Sequence, residues 1–324
     1  MTEWLYEAGI GEARAALVAD GAIVKARIEP EGRGPAVGTV APAKLIEILI
    51  PRLSGRVRLT DGVEAMLDGL PAGLTVGATA LVQIAREAIP EAGRPKLAKA
   101  VVAPEGALPG PGPDLLARIT ASGIPVRRRH AHQPDDLEAA GWSEVLEEAE
   151  TGEIAFPGGA LRMSVTPAMT LFDVDGSLPT DELARAGAAA VAAAVQRHGI
   201  GGSIGIDLPT MTNRAARMAA AAAFDAVLPQ PFERTAVNGF GFLQIVRRRV
   251  RPSLPEMLRA DPVAARTRAI LRSLERTRTV TRTEKLPAAV LARLSAHPEW
   301  AAELARRTGV ERTFEPIKNG GQEG

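Results

Sequence analysis

Thr170-Leu171-Phe172-Asp173-Val174-Asp175-Gly176 decides the fold. It is an apolar run that ends in carboxylates. Alternation along a strand puts residues two apart on the same side, so Asp173 and Asp175 face one way and Phe172 and Val174 the other. A turn precedes the run, and Ala160–Val165 reads as the strand before it, within a two-strand segment from Gly152 to Val174. Downstream, Thr180 reads as a helix N-cap, with Asp181 and Glu182 in the first turn, where carboxylates favour the positive end of the helix dipole. The alanine-rich helix reaches Arg197-His198 and stops at Gly199, a residue suited to the left-handed C-terminal position. Gly202–Ile206 then reads as a short buried strand with Asp207 at its end. A second helix, Asn213–Val227, and two strands, Glu233–Val237 and Phe240–Arg249, complete an α/β layer around a central sheet.

Toward the N-terminus, Ala13–Val18 and Ala22–Ile28 are β-capable runs joined at Asp20-Gly21, a strong hairpin signal. From Ala36 to Ala103, short apolar runs are broken at Ser54-Gly55, Asp61-Gly62, Asp68-Gly69 and Ala72-Gly73, the spacing of a small barrel of the OB type. Pro104–Pro113 is too rich in proline and glycine to sustain helix or sheet and reads as a linker. Leu115–Ser122 reads as a short helix, Val126–Arg129 as a basic strand and Pro134–Glu150 as an acidic helical region. After Pro252 and Pro255 come a helix (Pro262–Arg276), a strand (Arg278–Thr283), a helix (Ala288–Arg307) and a strand (Val310–Pro316), a small α+β unit. The tail after Lys318 is expected to be disordered.

The 324 residues are 46% hydrophobic and 24% charged, an ordinary globular balance for a chain of two or three domains. The longest apolar run, Gly187–Val195, is too short to span a bilayer. Met1-Thr2-Glu3-Trp4 lacks the basic start and apolar stretch of a secretory signal, so a cytoplasmic location without membrane contact is expected. With no cysteine, disulfides, thiolate zinc sites and cysteine nucleophiles are excluded. Net charge is +1, yet between Arg247 and Lys285 eleven arginines and one lysine face four acids. Such clustering suits a polyanion, or else a solvated helix face rich in arginine.

Asp173, Asp175 and Asp207 end neighbouring strands of one layer, and sites of open α/β sheets form beyond the carboxyl ends of strands. Clustered carboxylates raise one another's pKa unless a cation neutralises them, and Mg²⁺ suits all-oxygen ligands; Mn²⁺ could replace it. Read as a continuous strand, Phe240–Arg251 would carry Arg247, Arg249 and Arg251 on one face, and guanidinium forks match phosphate oxygens. Arg214, at the start of the helix after Asp207, is a further phosphate candidate. His130 and His132 read as surface-loop residues. No phosphate-binding glycine loop, nucleophile elbow or histidine-linked triad is present.

Three of these segments carry a family likeness. Thr166–Asp175 resembles the strand that precedes the first catalytic aspartate of the ribonuclease E/G family. Gly201-Gly202-Ser203-Ile204-Gly205-Ile206-Asp207 is similar to that family's Gly-Gly strand and second aspartate. Phe240-Gly241-Phe242-Leu243, the arginine run and Arg251-Pro252-Ser253-Leu254 resemble its Phe-Gly-Leu motif and closing Pro-Ser-Leu. The motifs occur in order between Gly152 and Leu254. The resemblance implies an α/β (α+β overall) fold. Residues 1–35 would be the N-terminal hairpin of an RNase-H-like subdomain, 36–103 an inserted OB-type RNA-binding domain, and 104–151 a linker with the rest of that subdomain. Residues 152–255 would form a DNase-I-like catalytic metal-binding layer, and 256–324 a small C-terminal domain.

Departures from the family pattern shape the expectation. Asp175 stands where the family has asparagine, and Pro255-Glu256-Met257-Leu258 stands where its zinc-binding cysteines follow Pro-Ser-Leu. A zinc link is therefore not expected, and a homodimer would have to form through the catalytic or C-terminal domain. No aromatic residue occurs between Tyr6 and Trp142, so the barrel lacks base-stacking side chains. The span 104–152 is too short for the family's 5′-end-sensing subdomain. The resemblance thus implies a trimmed, Mg²⁺-dependent endoribonuclease of single-stranded RNA leaving 5′-phosphate and 3′-hydroxyl ends. Asp173 and Asp207 would hold the metal, Asp175 would assist, and Arg247, Arg249 and Arg214 would contact phosphates. The alternatives are an RNA-binding protein of the same fold without cleavage, and a structural subunit acting through the C-terminal domain.

Overall fold

The computed structural model describes residues 2–91, 95–277 and 281–317. Three strands open the chain: β1 (Thr2–Ala8), β2 (Glu12–Ala19) and β3 (Ala22–Pro30). The hairpin read at Asp20-Gly21 joins β2 to β3, with both turn residues at positive φ. β1 had no sequence signal, because Trp4 and Leu5 are both buried, on opposite faces, and the strand shows no polar alternation.

The next five strands, β4 (Val40–Ile50), β5 (Ser54–Leu59), β6 (Glu64–Asp68), β7 (Thr79–Arg86) and β8 (Ala98–Val102), close a barrel in the order β4-β5-β6-β8-β7. Its interior is aliphatic, with Leu45, Val57, Leu67, Val82 and Ile84 at its centre. Then follow α1 (Leu115–Thr120), β9 (Val126–Arg129), α2 (Asp136–Ala139) and α3 (Trp142–Thr151). β9 pairs in parallel with β1, so residues 126–129 complete a four-stranded sheet begun at the N-terminus. Trp4, Ala15 and Leu17 pack one face of that sheet on α1, while Leu5, Ala16 and Ile23 pack the other on Leu137, Trp142 and Val145.

A six-stranded sheet follows. Its elements are β10 (Glu153–Phe156), β11 (Gly159–Val165), β12 (Thr170–Gly176), α4 (Thr180–His198), β13 (Gly202–Asp207), α5 (Arg214–Val227), β14 (Glu233–Arg234) and β15 (Phe242–Arg247). The strand order is β10-β11-β12-β13-β15-β14, with only β12 and β13 parallel, joined through α4. One face is apolar: Leu161, Met163, Phe172, Val174, Ile204, Ile206, Leu243 and Ile245 bury against α4, and Phe224 of α5 joins the same core. Three strands, not two, precede Gly176, and the second arginine-bearing strand ends at Arg247. Thr180 is the first helical residue rather than the cap, which falls at Pro179, while Gly199 does terminate α4 at φ 69°.

The C-terminal part comprises α6 (Leu254–Ala260), α7 (Pro262–Arg276), β16 (Thr283–Leu286), α8 (Ala288–Ala296), α9 (Pro298–Thr308) and β17 (Thr313–Pro316). The prolines at 252 and 255 disguise α6. Pro255 occupies its first turn, where a missing N–H costs nothing, and Ser253 and Glu256 form a capping box. The boundary read at 255/256 therefore cuts a helix whose Leu254 and Leu258 belong to the core of the N-terminal sheet. The single helix read over 288–307 is two, broken before Pro298. Of the strand read at Arg278–Thr283, residues 278–280 lie outside the described residues, as does the tail from Lys318.

The arginine-rich stretch folds inward. Arg268, Arg272 and Arg276 recur every fourth residue on one face of α7 and ion-pair with Glu12, Glu7 and Asp135. Much of the local positive excess is thus spent joining the C-terminal helices to the first sheet. Among the described residues, no helix is long and apolar enough to cross a membrane.

Candidate functional site

The second face of the six-stranded sheet presents Arg162, Asp173, Asp175 and Asp207 to solvent. Asp173 of β12 and Asp207 of β13 are Cα partners in the parallel register, so the two carboxylates stand side by side on this face. Adjacent strands lie about 4.8 Å apart, which sets the spacing of the two Cα positions. Asp175 follows two residues on, on the same face, opposite Ala160 of β11. All three are exposed, and among the described residues none makes a hydrogen bond or ion pair. They do not close into a three-ligand cage: among the described residues, no group of three or more His, Asp or Glu side chains is placed to hold a metal ion.

Arg162 of β11 is the Cα partner of Asp173 on the other side. Its guanidinium bonds Glu153 at 3.1 Å, and its pKa is raised by that hydrogen bond first, then by the charges of Glu153, Asp173 and Asp175. Arg162 was not singled out in the sequence; its signal was its place in the hairpin register. Arg214 begins α5 after the loop that leaves Asp207, exposed, behind the N-cap Asn213, whose side chain accepts from the Ala216 N–H. That loop is tied to α4: Asp181 accepts from the Thr212 N–H at 3.0 Å and its hydroxyl at 2.7 Å, and these bonds lower its pKa. The acid read as a helix-dipole residue therefore also anchors the loop after Asp207.

Two aromatic rings flank the acids. Phe242 is the Cα partner of Asp207, and its ring lies over Gly205: a Cβ there would stand 2.7 Å from Phe242 and 2.8 Å from Leu171. Phe240, two residues earlier, is 85% exposed at the tip of a turn shaped by Asn238, whose side chain accepts from the N–H groups of Phe240 and Phe242. Gly241 lets this turn pass against the loop after Asp207. It has φ 94°, and a Cβ would lie 2.1 Å from the Leu208 carbonyl oxygen. Gly241→Ala is expected to cost about 2–4 kcal/mol, from left-handed strain plus backbone overlap. Urea unfolding measures it, and a loss below about half a kcal/mol would show that the turn relaxes freely.

Arg247 and Arg249 are not part of this constellation. β15 runs antiparallel to β13, with Phe242 opposite Asp207 and Arg247 opposite Gly202. Five strand positions place Arg247 about 17 Å along from Asp207. Alternation also turns it to the face of Leu243 and Ile245, where it donates to the Ile200 carbonyl at 3.1 Å. Arg249 lies beyond the strand end, bonded to Glu91 and Glu256, and Arg251 bonds Glu87 at 3.0 Å. The expected row of three arginines on one strand face fails because the strand ends at Arg247. The cation that the register sets beside the acids is instead Arg162, while Arg214 begins α5 beyond the loop that leaves Asp207.

Two adjacent carboxylates without protein partners, on an open face, are a donor set suited to a hard divalent cation that keeps several waters. No family model matches the chain, and no curated protein matches it in sequence.

Proposed function

We propose that the protein is a divalent-metal-dependent endoribonuclease of single-stranded RNA, related to the ribonuclease E/G family. The observation that carries this reading is the in-register pair Asp173 and Asp207 at the open face of the sheet, with no side-chain hydrogen bond or ion pair among the described residues. Like charges held side by side without a counter-ion are unfavourable, and a shared Mg²⁺, or Mn²⁺, offsets them. Such a cation, when bound, supplies Lewis-acid activation of a phosphodiester and an activated water.

Asp173 and Asp207 would hold the cation, and Asp175 would orient its water shell. Arg162 and Arg214 would attract backbone phosphates to the acid edge, as positioning contacts without base selectivity. Phe240, with Phe242 behind it, would offer a ring for an unstacked base, which favours single strands over duplexes. The barrel order β4-β5-β6-β8-β7, with β6 and β8 parallel, supports an OB-type reading, and the β3-β2-β1-β9 sheet supports an RNase-H-like one.

Cleavage of an end-labelled single-stranded RNA in Mg²⁺ and in EDTA tests the proposal. Metal-dependent cutting to 5′-phosphate and 3′-hydroxyl ends is expected; RNA that stays intact in Mg²⁺ and Mn²⁺ would refute it. Phe240→Ala should weaken single-strand binding about tenfold without altering thermal stability, and unchanged affinity would remove the ring from the interface. A second reading is an RNA-binding protein of the same fold that does not cleave.

A further inference from the structure

Where the barrel, the first sheet and the six-stranded sheet meet, the chain forms a half-open cavity of about 560 Å³. It lies toward the inner face of the six-stranded sheet, at the opposite end of β13 from Asp207. Among its lining residues arginines outnumber acids nine to two, the acids being Glu87 and Asp261. Six of the arginines are accounted for by carboxylates: Arg33 and Arg251 by Glu87, Arg118 by Glu29, Arg249 by Glu91 and Glu256, Arg268 by Glu12, Arg293 by Asp261.

Three are not. Among the described residues, Arg27 donates only to the backbone carbonyls of Ala26 and Arg197, at 2.6 and 3.2 Å. Arg247 donates only to the Ile200 carbonyl, and Arg248 makes no hydrogen bond or ion pair among the described residues. Gly199, the αL end of α4, lies against Arg27: a Cβ there would sit 3.1 Å from the guanidinium carbon. Burial, then the fields of Arg247, Arg251 and Arg118, pull the Arg27 pKa down to about 10. Lys25 is lowered by burial and then by the charges of Arg27 and Arg247. Arg27, Arg247 and Lys25 are thus held close to one another without a counter-charge among the described residues, an arrangement that an anion would relieve.

We propose that this cavity binds a small organic phosphate, with its phosphate on Arg27, Arg247 and Arg248 and its body against Ile28, Val250 and Met257. Guanidinium forks match phosphate oxygens, and the volume is that of a small-molecule site rather than an extended strand track. The apolar part of the lining gives an organic body a surface that inorganic phosphate would not use. The site is separate from Asp173 and Asp207 and stands whether or not the protein cuts RNA.

Phenyl phosphate, pyrophosphate and KCl at equal ionic strength distinguish this site from general anion screening, by calorimetry and thermal unfolding on the full chain. One saturable equivalent of phenyl phosphate, with a rise in unfolding temperature beyond that given by KCl, is expected. Arg27→Met should weaken binding about tenfold or more and raise the unfolding temperature of the ligand-free protein, because a repelled charge is removed. Arg248→Glu, at an exposed position without partners, keeps the fold and should weaken binding at least as much. The proposal is overturned if phenyl phosphate does no more than KCl, or if Arg248→Glu binds it unchanged. Displacement of phenyl phosphate by an oligoribonucleotide lacking terminal phosphates would also overturn it, assigning the arginines to a nucleic-acid backbone.

Discussion

Asp207→Asn is expected to lower RNA cleavage about a thousandfold or more, the several kcal/mol that charge stabilisation by a bound cation contributes. The substitution keeps shape and volume and removes one of two anionic ligands. Asp207 is exposed and its side chain bonds nothing among the described residues, so thermal unfolding should be unchanged. Asp173→Asn should behave alike, and the double variant should lose little more than either single one, because both would act through one ion. Asp175→Asn should retain more activity, since Asp175 is assigned to the water shell and not to holding the cation. Rates of labelled-RNA cleavage in matched preparations measure all four. Full activity in Asp207→Asn would indicate that cutting does not pass through this pair.

Glu7→Gln should be the most destabilising conservative change in the first sheet. Glu7 is 4% exposed and accepts from Arg14, Arg272 and Arg276 at 2.5–2.8 Å, joining β1 and β2 to α7. An amide leaves three guanidinium groups around a neutral side chain, at a cost of about 3–5 kcal/mol. Burial alone would raise the Glu7 carboxyl, but Arg14 and Arg272 outweigh it and hold its pKa at about 2, against an ordinary 4.5. The native state therefore keeps Glu7 ionised where the unfolded chain protonates it. Its contribution is complete above pH 4.5 and is lost as pH falls toward 2, a swing of about 3 kcal/mol. Urea unfolding followed by tryptophan fluorescence should show the variant much weaker at pH 7 and converging on the native protein near pH 2.5. A difference under about 1 kcal/mol at pH 7 would show that the arginines find other partners.

What could be read in the sequence was local. Asp173, Asp175 and Asp207 were legible because apolar alternation and strand ends are written in contiguous residues. The barrel was legible through its turn dipeptides, α4 through Gly199 and α5 through Asn213. What failed depended on partners far along the chain. The arginines of α7 read as a surface for polyanions until Glu7 and Glu12, some 260 positions away, are seen against them. Arg247 and Arg249 read as neighbours of the acids because antiparallel register, which sends them to the other end of β13, is not encoded in any one strand. β1 and α6 were hidden for opposite reasons: one is buried on both faces, and the other begins in prolines that read as a break.

The most direct test counts metal rather than product. In a titration of Mn²⁺ followed by the electron paramagnetic resonance of the free ion, with single-stranded RNA present, the native protein should bind one more Mn²⁺ than the Asp173→Asn/Asp207→Asn double variant. Mg²⁺ should displace that ion. Equal binding by the two proteins would contradict the assignment of a metal to the Asp173–Asp207 pair.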